Sequence, residues 1–190
     1  MSHAKPILLT ALLTGGALAC DQTTTSPSER PESTPFESRL ETEALATSHA
    51  PGGAMHHRQL AALRRATAPF HNFGKAQAAG YVALLTPCLE QLPDGAQGFH
   101  YGNPALIDGS VNLLEPEILQ YEPQPGGHLR LVGVEYIVPL SEPEPAPLLG
   151  QHFHANPNAG IWGLHVWLWR HNPSGMFADW NPKVSCEHAS

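Results

Sequence analysis

The stretch from Ile161 to Trp169, IWGLHVWLW, limits what this chain can fold into more than any other. Read as a strand, it places Ile161, Gly163, His165, Trp167 and Trp169 on one face and Trp162, Leu164, Val166 and Leu168 on the other. Both rows are apolar. A strand of that kind must be covered on both sides, as in the middle of a sandwich or barrel. His165 is then an imidazole inside an apolar row, and a buried imidazole needs a partner. With its continuation to Cys186, the stretch holds all four tryptophans of the chain.

The segments before it alternate between helix and strand signals. Leu60 and Leu63 at i, i+3 among Ala61, Ala62 and Ala66 predict an amphipathic helix over about Met55 to Thr67, ended by Pro69. Asn72 is placed to cap a second short helix, Phe73 to Ala79, with Gly80 as its left-handed terminus. Tyr81 to Leu85 reads as a strand, Pro87 to Gly98 as a loop, and Phe99-His100-Tyr101 as an extended piece with His100 opposite the two aromatics. Ile118 to Tyr121 and Leu129 to Pro139 predict a hairpin around Pro123-Gln124-Pro125-Gly126-Gly127. On its second arm Val132, Val134, Tyr136 and Val138 share one side, and Leu131, Gly133, Glu135 and Ile137 share the other. Glu135 therefore stands in an apolar row, where a carboxylate requires a cation, a donor or a proton. Ser141 to Leu149, with three prolines and two acids, is an exposed loop. If the following segment is extended, His152 and His154 lie on one face. The expected fold is α+β: two short N-terminal helices followed by a mostly antiparallel β-sheet or small barrel.

The ends of the chain speak to location. Lys5, the apolar run Ile7 to Leu13 and Ala17-Leu18-Ala19-Cys20 compose a signal peptide over residues 1–19, too short for a membrane span. The cleavage region resembles the lipobox of bacterial lipoproteins, which implies acylation of Cys20; an ordinary secretory signal is the alternative. In lipoproteins of enterobacterial type, an acid in the place of Asp21 resembles an inner-membrane retention signal. Residues 20–53, rich in Ser, Thr and Pro with six acids against two arginines, form an acidic tether that cannot bury enough apolar surface to order itself. Residues 54–190 form a single globular domain. The expected location is a bacterial membrane, reached through acylated Cys20, with the domain facing the periplasm or the cell exterior. Apart from Cys20, the cysteines are Cys88 and Cys186, an even pair expected to form a disulfide in an oxidising compartment. Acids outnumber Lys and Arg by 17 to 10 and no basic stripe exists, so nucleic acid is not the expected partner. Nothing in the residues names a small-molecule or protein partner.

Four polar groups fall on predicted apolar strand rows: His100, Glu135, His154 (with His152 as the alternate) and His165. Brought together from neighbouring strands, three imidazoles and a carboxylate suit one divalent transition metal, Zn, Fe, Mn or Cu. Tyr101, Tyr136 and Asn172 are candidates for supporting hydrogen bonds. The set resembles in composition the three-His, one-Glu site of cupin barrels, although here Glu135 precedes His152 and His154 in the chain. The competing reading is a hydrogen-bonded His/Glu network in a non-enzymatic envelope module. Other chemistries lack a carrier. There is no G-x-S-x-G and no Gly-rich phosphate loop, and no spacing selects a pair among Asp108, Glu115, Glu117 and Glu135. Whether the centre is catalytic depends on an open coordination position, which the sequence leaves undecided.

The segments GFHYGNPALID, LVGVEY, LHVWLWRHNPSGMFADWNP and Val184-Ser185-Cys186 resemble a group of bacterial exported proteins and lipoproteins of no known function. The resemblance spans about residues 65 to 186 and implies no activity, cofactor or residue role.

Overall fold

The computed structural model describes residues 51–189, and the side chains from Gly53 onward. The leader, Cys20 and most of the tether lie outside the described residues. The chain opens on helix α1, Pro51–Thr67, which begins three residues before the expected domain start at 54. At its end the Thr67 hydroxyl donates to the Leu63 carbonyl (2.9 Å), and Pro69 starts a 3-10 turn, Ala68–His71. Asn72 then caps the short helix α2, Phe73–Ala78, its side chain accepting from the Lys75 N–H at 3.2 Å. Gly80, at φ 99°, turns the chain toward the sheet.

Six strands follow: β1 (Ala83–Gln91), β2 (Gly95–Gly102), β3 (Ile118–Pro123), β4 (Leu129–Pro139), β5 (His154–Asn156) and β6 (Ile161–Val166). They form one antiparallel sheet in the order β1-β2-β3-β4-β6-β5. The fold is therefore α+β with the sheet dominant. The ladder stays open, with β1 and β5 as its edges, and does not close into the small barrel that was the alternative expectation. Among the described residues no helix is long and apolar enough to cross a membrane.

Two sequence expectations are corrected here. The segment from Pro87 to Gly98 is not a loop. β1 runs on through Pro87 and Cys88 to Gln91, and a three-residue turn returns into β2. An edge strand tolerates proline because one row of its N–H groups needs no partner, and β1 is an edge whose register slips beside Pro87. The second correction concerns β4. Its pairing with β3 slips between Gln120 and Tyr121, so Gln120 faces Gly133 while Tyr121 faces Leu131. The extra residue is Val132, a β-bulge. Consequently Leu131 joins the layer of Val134 and Tyr136, and Val132 packs on the opposite side with Ala96, Trp167 and Val184.

The helices cover one face of the sheet. Leu63, Leu119, Tyr121, Val134, Tyr136 and Val166 are fully buried in that layer, each removing enough apolar surface from water to contribute roughly 1.5–3 kcal/mol. Phenolic groups stitch this layer to the backbone: Tyr81 donates to the Pro116 carbonyl (2.8 Å), Tyr121 to that of Phe70 (2.7 Å) and Tyr136 to that of Leu113 (2.6 Å). The segment so held delivers Glu117, 1% exposed, whose carboxylate accepts the Ile137 N–H at 3.1 Å.

The opposite face is covered in part by the segment after β6, residues 167–186. β6 ends at Val166, earlier than the alternation predicts, because the Trp167 N–H leaves the ladder for the Met176 carbonyl (2.9 Å). The remaining chain crosses this face as a strap. Its backbone pairs with β2 through two bonds of 3.2 Å between Ala96 and Asn181, an approach so close that Gly95 leaves no room for a side chain against Asn181. The strap ends at the expected disulfide, Cys88–Cys186, with Cα atoms 5.8 Å apart and a separation of 98 in sequence. In the chain-entropy picture a loop of that length stabilises the fold by about 4–5 kcal/mol.

Candidate metal centre

The strap-side face of the sheet carries the polar residues. Cross-strand register sets His100 of β2 opposite Gln120 of β3, and Glu135 of β4 opposite both Ile118 of β3 and His165 of β6. Alternation turns His100, Gln120, Glu135 and His165 to the same side. Glycines open space among them. A methyl group on Gly163 would stand 3.1 Å from Glu135 Oε1, and one on Gly133 would stand 2.7 Å from Gln120 Oε1.

Glu135 lies between the two imidazoles. Its Oε2 is 3.4 Å from His100 Nε2 and its Oε1 is 3.6 Å from His165 Nε2, with all three residues at most 8% exposed. These are ion-pair distances rather than hydrogen bonds, and His165 Nε2 has no hydrogen-bond partner. One donor atom from each residue, His100, Glu135 and His165, falls within 4.8 Å of the other two. Ligands bound at about 2.0–2.1 Å on a tetrahedron stand roughly 3.3–3.4 Å apart, and each carboxylate oxygen stands near that spacing from one imidazole nitrogen, Oε2 from His100 and Oε1 from His165. The group can hold a metal ion.

Each imidazole has its outer nitrogen held. Thr86 Oγ1 lies 2.8 Å from His100 Nδ1, and the Gln120 amide nitrogen lies 3.3 Å from His100 Nε2. With the proton on Nδ1, His100 donates to Thr86 and Nε2 turns its lone pair toward Gln120 and Glu135; an ion bound at Nε2 would take the place of the Gln120 contact. On the other side, Asp179 Oδ1 is 3.6 Å from His165 Nδ1. This carboxylate–imidazole pairing is the support that metal-ligating histidines commonly have. Asp179 comes from the strap, where Gln97 of β2 donates to its carbonyl (3.1 Å) and the Trp167 indole donates to that of Ala178 (2.6 Å).

The surroundings set the charges. Burial pushes His100 below the ordinary imidazole value, and Glu135 offsets that only in part. Burial also opposes charge on His165, but there Glu135 and Asp179 outweigh it and the value rises. The pairing with His165 in turn holds Asp179 below the usual carboxylate range. Burial thus favours the neutral form of His100, while the neighbouring carboxylates of Glu135 and Asp179 favour the charged form of His165.

The four predicted ligands separate into three and one. His154 lies on β5, opposite Gly163, on the face that alternation assigns, but β5 is the sheet edge and its imidazole is exposed. Its Nδ1 is 3.8 Å from Asp179 Oδ1, so Asp179 stands between it and His165. The alternate, His152, is exposed and pairs with Glu144 at 3.0 Å. The expected supporting residues are corrected too. Tyr101 and Tyr136 belong to the helix-side layer, and Asn172 bonds within the strap to the Trp180 carbonyl (2.9 Å). Thr86 and Asp179 take that role. Gln120 and its partnerless Oε1 were detectable in principle, since the alternation of Ile118 to Tyr121 places a carboxamide in an inner row. Asp179, reached only through the strap, carried no local signal.

Two cavities meet at the centre. One, about 540 Å³, is bounded by His100, Glu135 and His165 together with Thr86, Gln97 and a set of aliphatic side chains. The other, about 340 Å³, shares Glu135 and His165 but leads past His154, Asp179 and Trp180.

No protein-family model, curated protein or solved structure matches this chain.

Proposed function

We propose that the domain is a mononuclear metal-binding module in which His100, Glu135 and His165 hold one divalent transition ion. The observation that carries this reading is the convergence of three buried donor atoms within 4.8 Å, with His165 Nε2 buried and lacking a hydrogen-bond partner. Two imidazoles and a carboxylate suit zinc and non-haem iron above all, with manganese and copper also compatible. Three protein ligands leave coordination positions for a small molecule. An ion there supplies Lewis acidity toward an oxygen in the cavity. The protein's share is to bury the three donors and to set a polar group, Thr86 or Asp179, against Nδ1 of each imidazole.

The test is elemental analysis of the untagged chain after reconstitution with zinc, iron(II), manganese or copper. One equivalent of an ion is expected, lost in the His100→Phe/His165→Phe double variant. Substoichiometric metal from every ion, with a melting temperature indifferent to chelator, would sink the reading.

A second reading has its own observation. Glu135 already sits 3.4 and 3.6 Å from the two imidazoles, so its charge is partly balanced with no ion at all. On that view the cluster is a buried polar network in a non-enzymatic module. A metal-bound native state would be stabilised by about 2.7 kcal/mol at one hundred times the dissociation constant; a polar network would not respond.

For location, we propose an exported lipoprotein tethered through acylated Cys20. The supports are the leader-like sequence and a Cys88–Cys186 bond that suits an oxidising compartment. Cys20→Ala is expected to release the protein from membranes, and continued sedimentation with them would refute the anchor.

A further inference from the structure

We propose that the larger cavity binds a small amphipathic monoanion, an aliphatic body with one carboxylate head directed at the metal centre. This rests on the metal reading above and specifies what the open positions receive.

The argument begins with how the wall is divided. Leu85, Leu89, Ile107, Ile118, Ile137 and Ile161 line the cavity, while His100, Glu135 and His165 bound it together on the sheet. Ligand pockets of a few hundred Å³ with mostly apolar walls and a few convergent polar groups recognise an apolar body by burial and orient it by one polar end. The aliphatic side chains come from four separate parts of the chain: β1, the loop before β3, β3 itself, and the β4–β6 pair. They line a partly open pocket from several sides.

Charge then selects the head group. No Lys or Arg lines the cavity, and Glu135 is its only carboxylate. Without an ion an anionic head would meet Glu135 with only the two imidazoles to balance it. With a dication held by Glu135 and two neutral imidazoles, the three-ligand shell carries one net positive charge; Asp179 offsets part of it from behind His165, outside the lining of this cavity, and a carboxylate head is drawn to the ion itself. A cationic head would find no favourable site in either state, and a neutral head would gain little from the ion. The smaller, more polar cavity shares Gln97, Glu135, Asn156, Asn158, Ile161 and His165 with the larger one and continues from it past His154, Asp179 and Trp180.

The experiment titrates the full chain, loaded with one equivalent of zinc, with butanoate, hexanoate, octanoate and 1-octanol by calorimetry, and repeats the series after chelator treatment. From butanoate to octanoate each added methylene is expected to tighten binding by up to about fourfold, and removing zinc to weaken octanoate by about tenfold or more. Binding of 1-octanol should be unchanged by the metal. Ile107→Glu, in the loop wall and away from the ligands, is expected to weaken octanoate at least about tenfold with zinc affinity unchanged. A chain that takes up zinc but binds octanoate no more tightly than butanoate, or equally with and without metal, overturns this inference and leaves the metal centre standing. A chain that takes up no zinc, iron, manganese or copper removes both.

Discussion

Glu117 gives the sharpest test of how this interior treats charge. Its carboxyl is 1% exposed, and burial pushes it from the usual carboxylate range up to about 8. The backbone N–H groups of Glu117 itself and of Ile137 pull the other way, and the charges of Asp108 and Glu135 add to the rise. Between pH 4.5 and 8 the unfolded chain has lost this proton and the folded chain still holds it. Stability must therefore fall as pH rises across that window, by about 1.4 kcal/mol per unit. The total approaches 4–5 kcal/mol at pH 8, is absent below about pH 4.5, and grows no further well above pH 8. Glu117→Gln keeps an acceptor for the Ile137 N–H and removes the titration. Its own unsatisfied amide hydrogens cost about 1–3 kcal/mol at every pH, so it is less stable than the parent at pH 5. By pH 8 the order is reversed. The assay is urea unfolding of both chains from pH 4.5 to 8.5, with chelator present and the disulfide intact. Other titrating groups are common to both and cancel in the difference. Parallel stability curves, with a difference that does not change with pH, would show that Glu117 ionises normally and that the interior is wetter than this packing implies.

The remaining predictions concern the centre. Asp179→Asn removes the carboxylate behind His165 and is expected to weaken zinc binding by about 10–100-fold with little loss of fold stability, read by competition with a chromophoric chelator. An unchanged zinc affinity would dismiss Asp179 as support. Gly133→Ala puts a methyl 2.7 Å from Gln120 Oε1 and 3.0 Å from the Val166 carbonyl, and is expected to cost about 1–3 kcal/mol in urea unfolding while displacing Gln120 from His100. A neutral result there would mean that the β3–β4 bulge yields easily.

The centre was largely legible because alternation reports on which side of a strand a residue lies. His100, Glu135 and His165 each interrupt an apolar row, and all three face one another. His154 shows the limit of that signal: its face is as expected, but a face has no depth, and on the edge strand the same orientation leads into solvent. The Val132 bulge was hidden because one inserted residue reverses the alternation without any unusual residue type. Pro87 marked a loop by composition, although an edge strand accommodates it. Asp179 was beyond reach, since its place depends on how a strap without regular structure crosses β2. The pairing of Cys88 with Cys186 needed only a count.

The disulfide has a second consequence beyond loop closure. Thr86, which is hydrogen-bonded to Nδ1 of His100, stands two residues before Cys88; Asp179, which faces Nδ1 of His165, stands seven before Cys186. The covalent bond thus joins the two outer supports of the imidazoles, while the imidazoles themselves ride on hydrogen-bonded strands. Reduction would leave β1, β2, β4 and β6 in register, Thr86 with them, yet loosen the strap that brings Asp179 to His165. The redox state of two sulfurs would in that way reach the centre through one imidazole and not the other, and the expected signature of thiol reagents is a softened metal affinity well before any loss of the sheet.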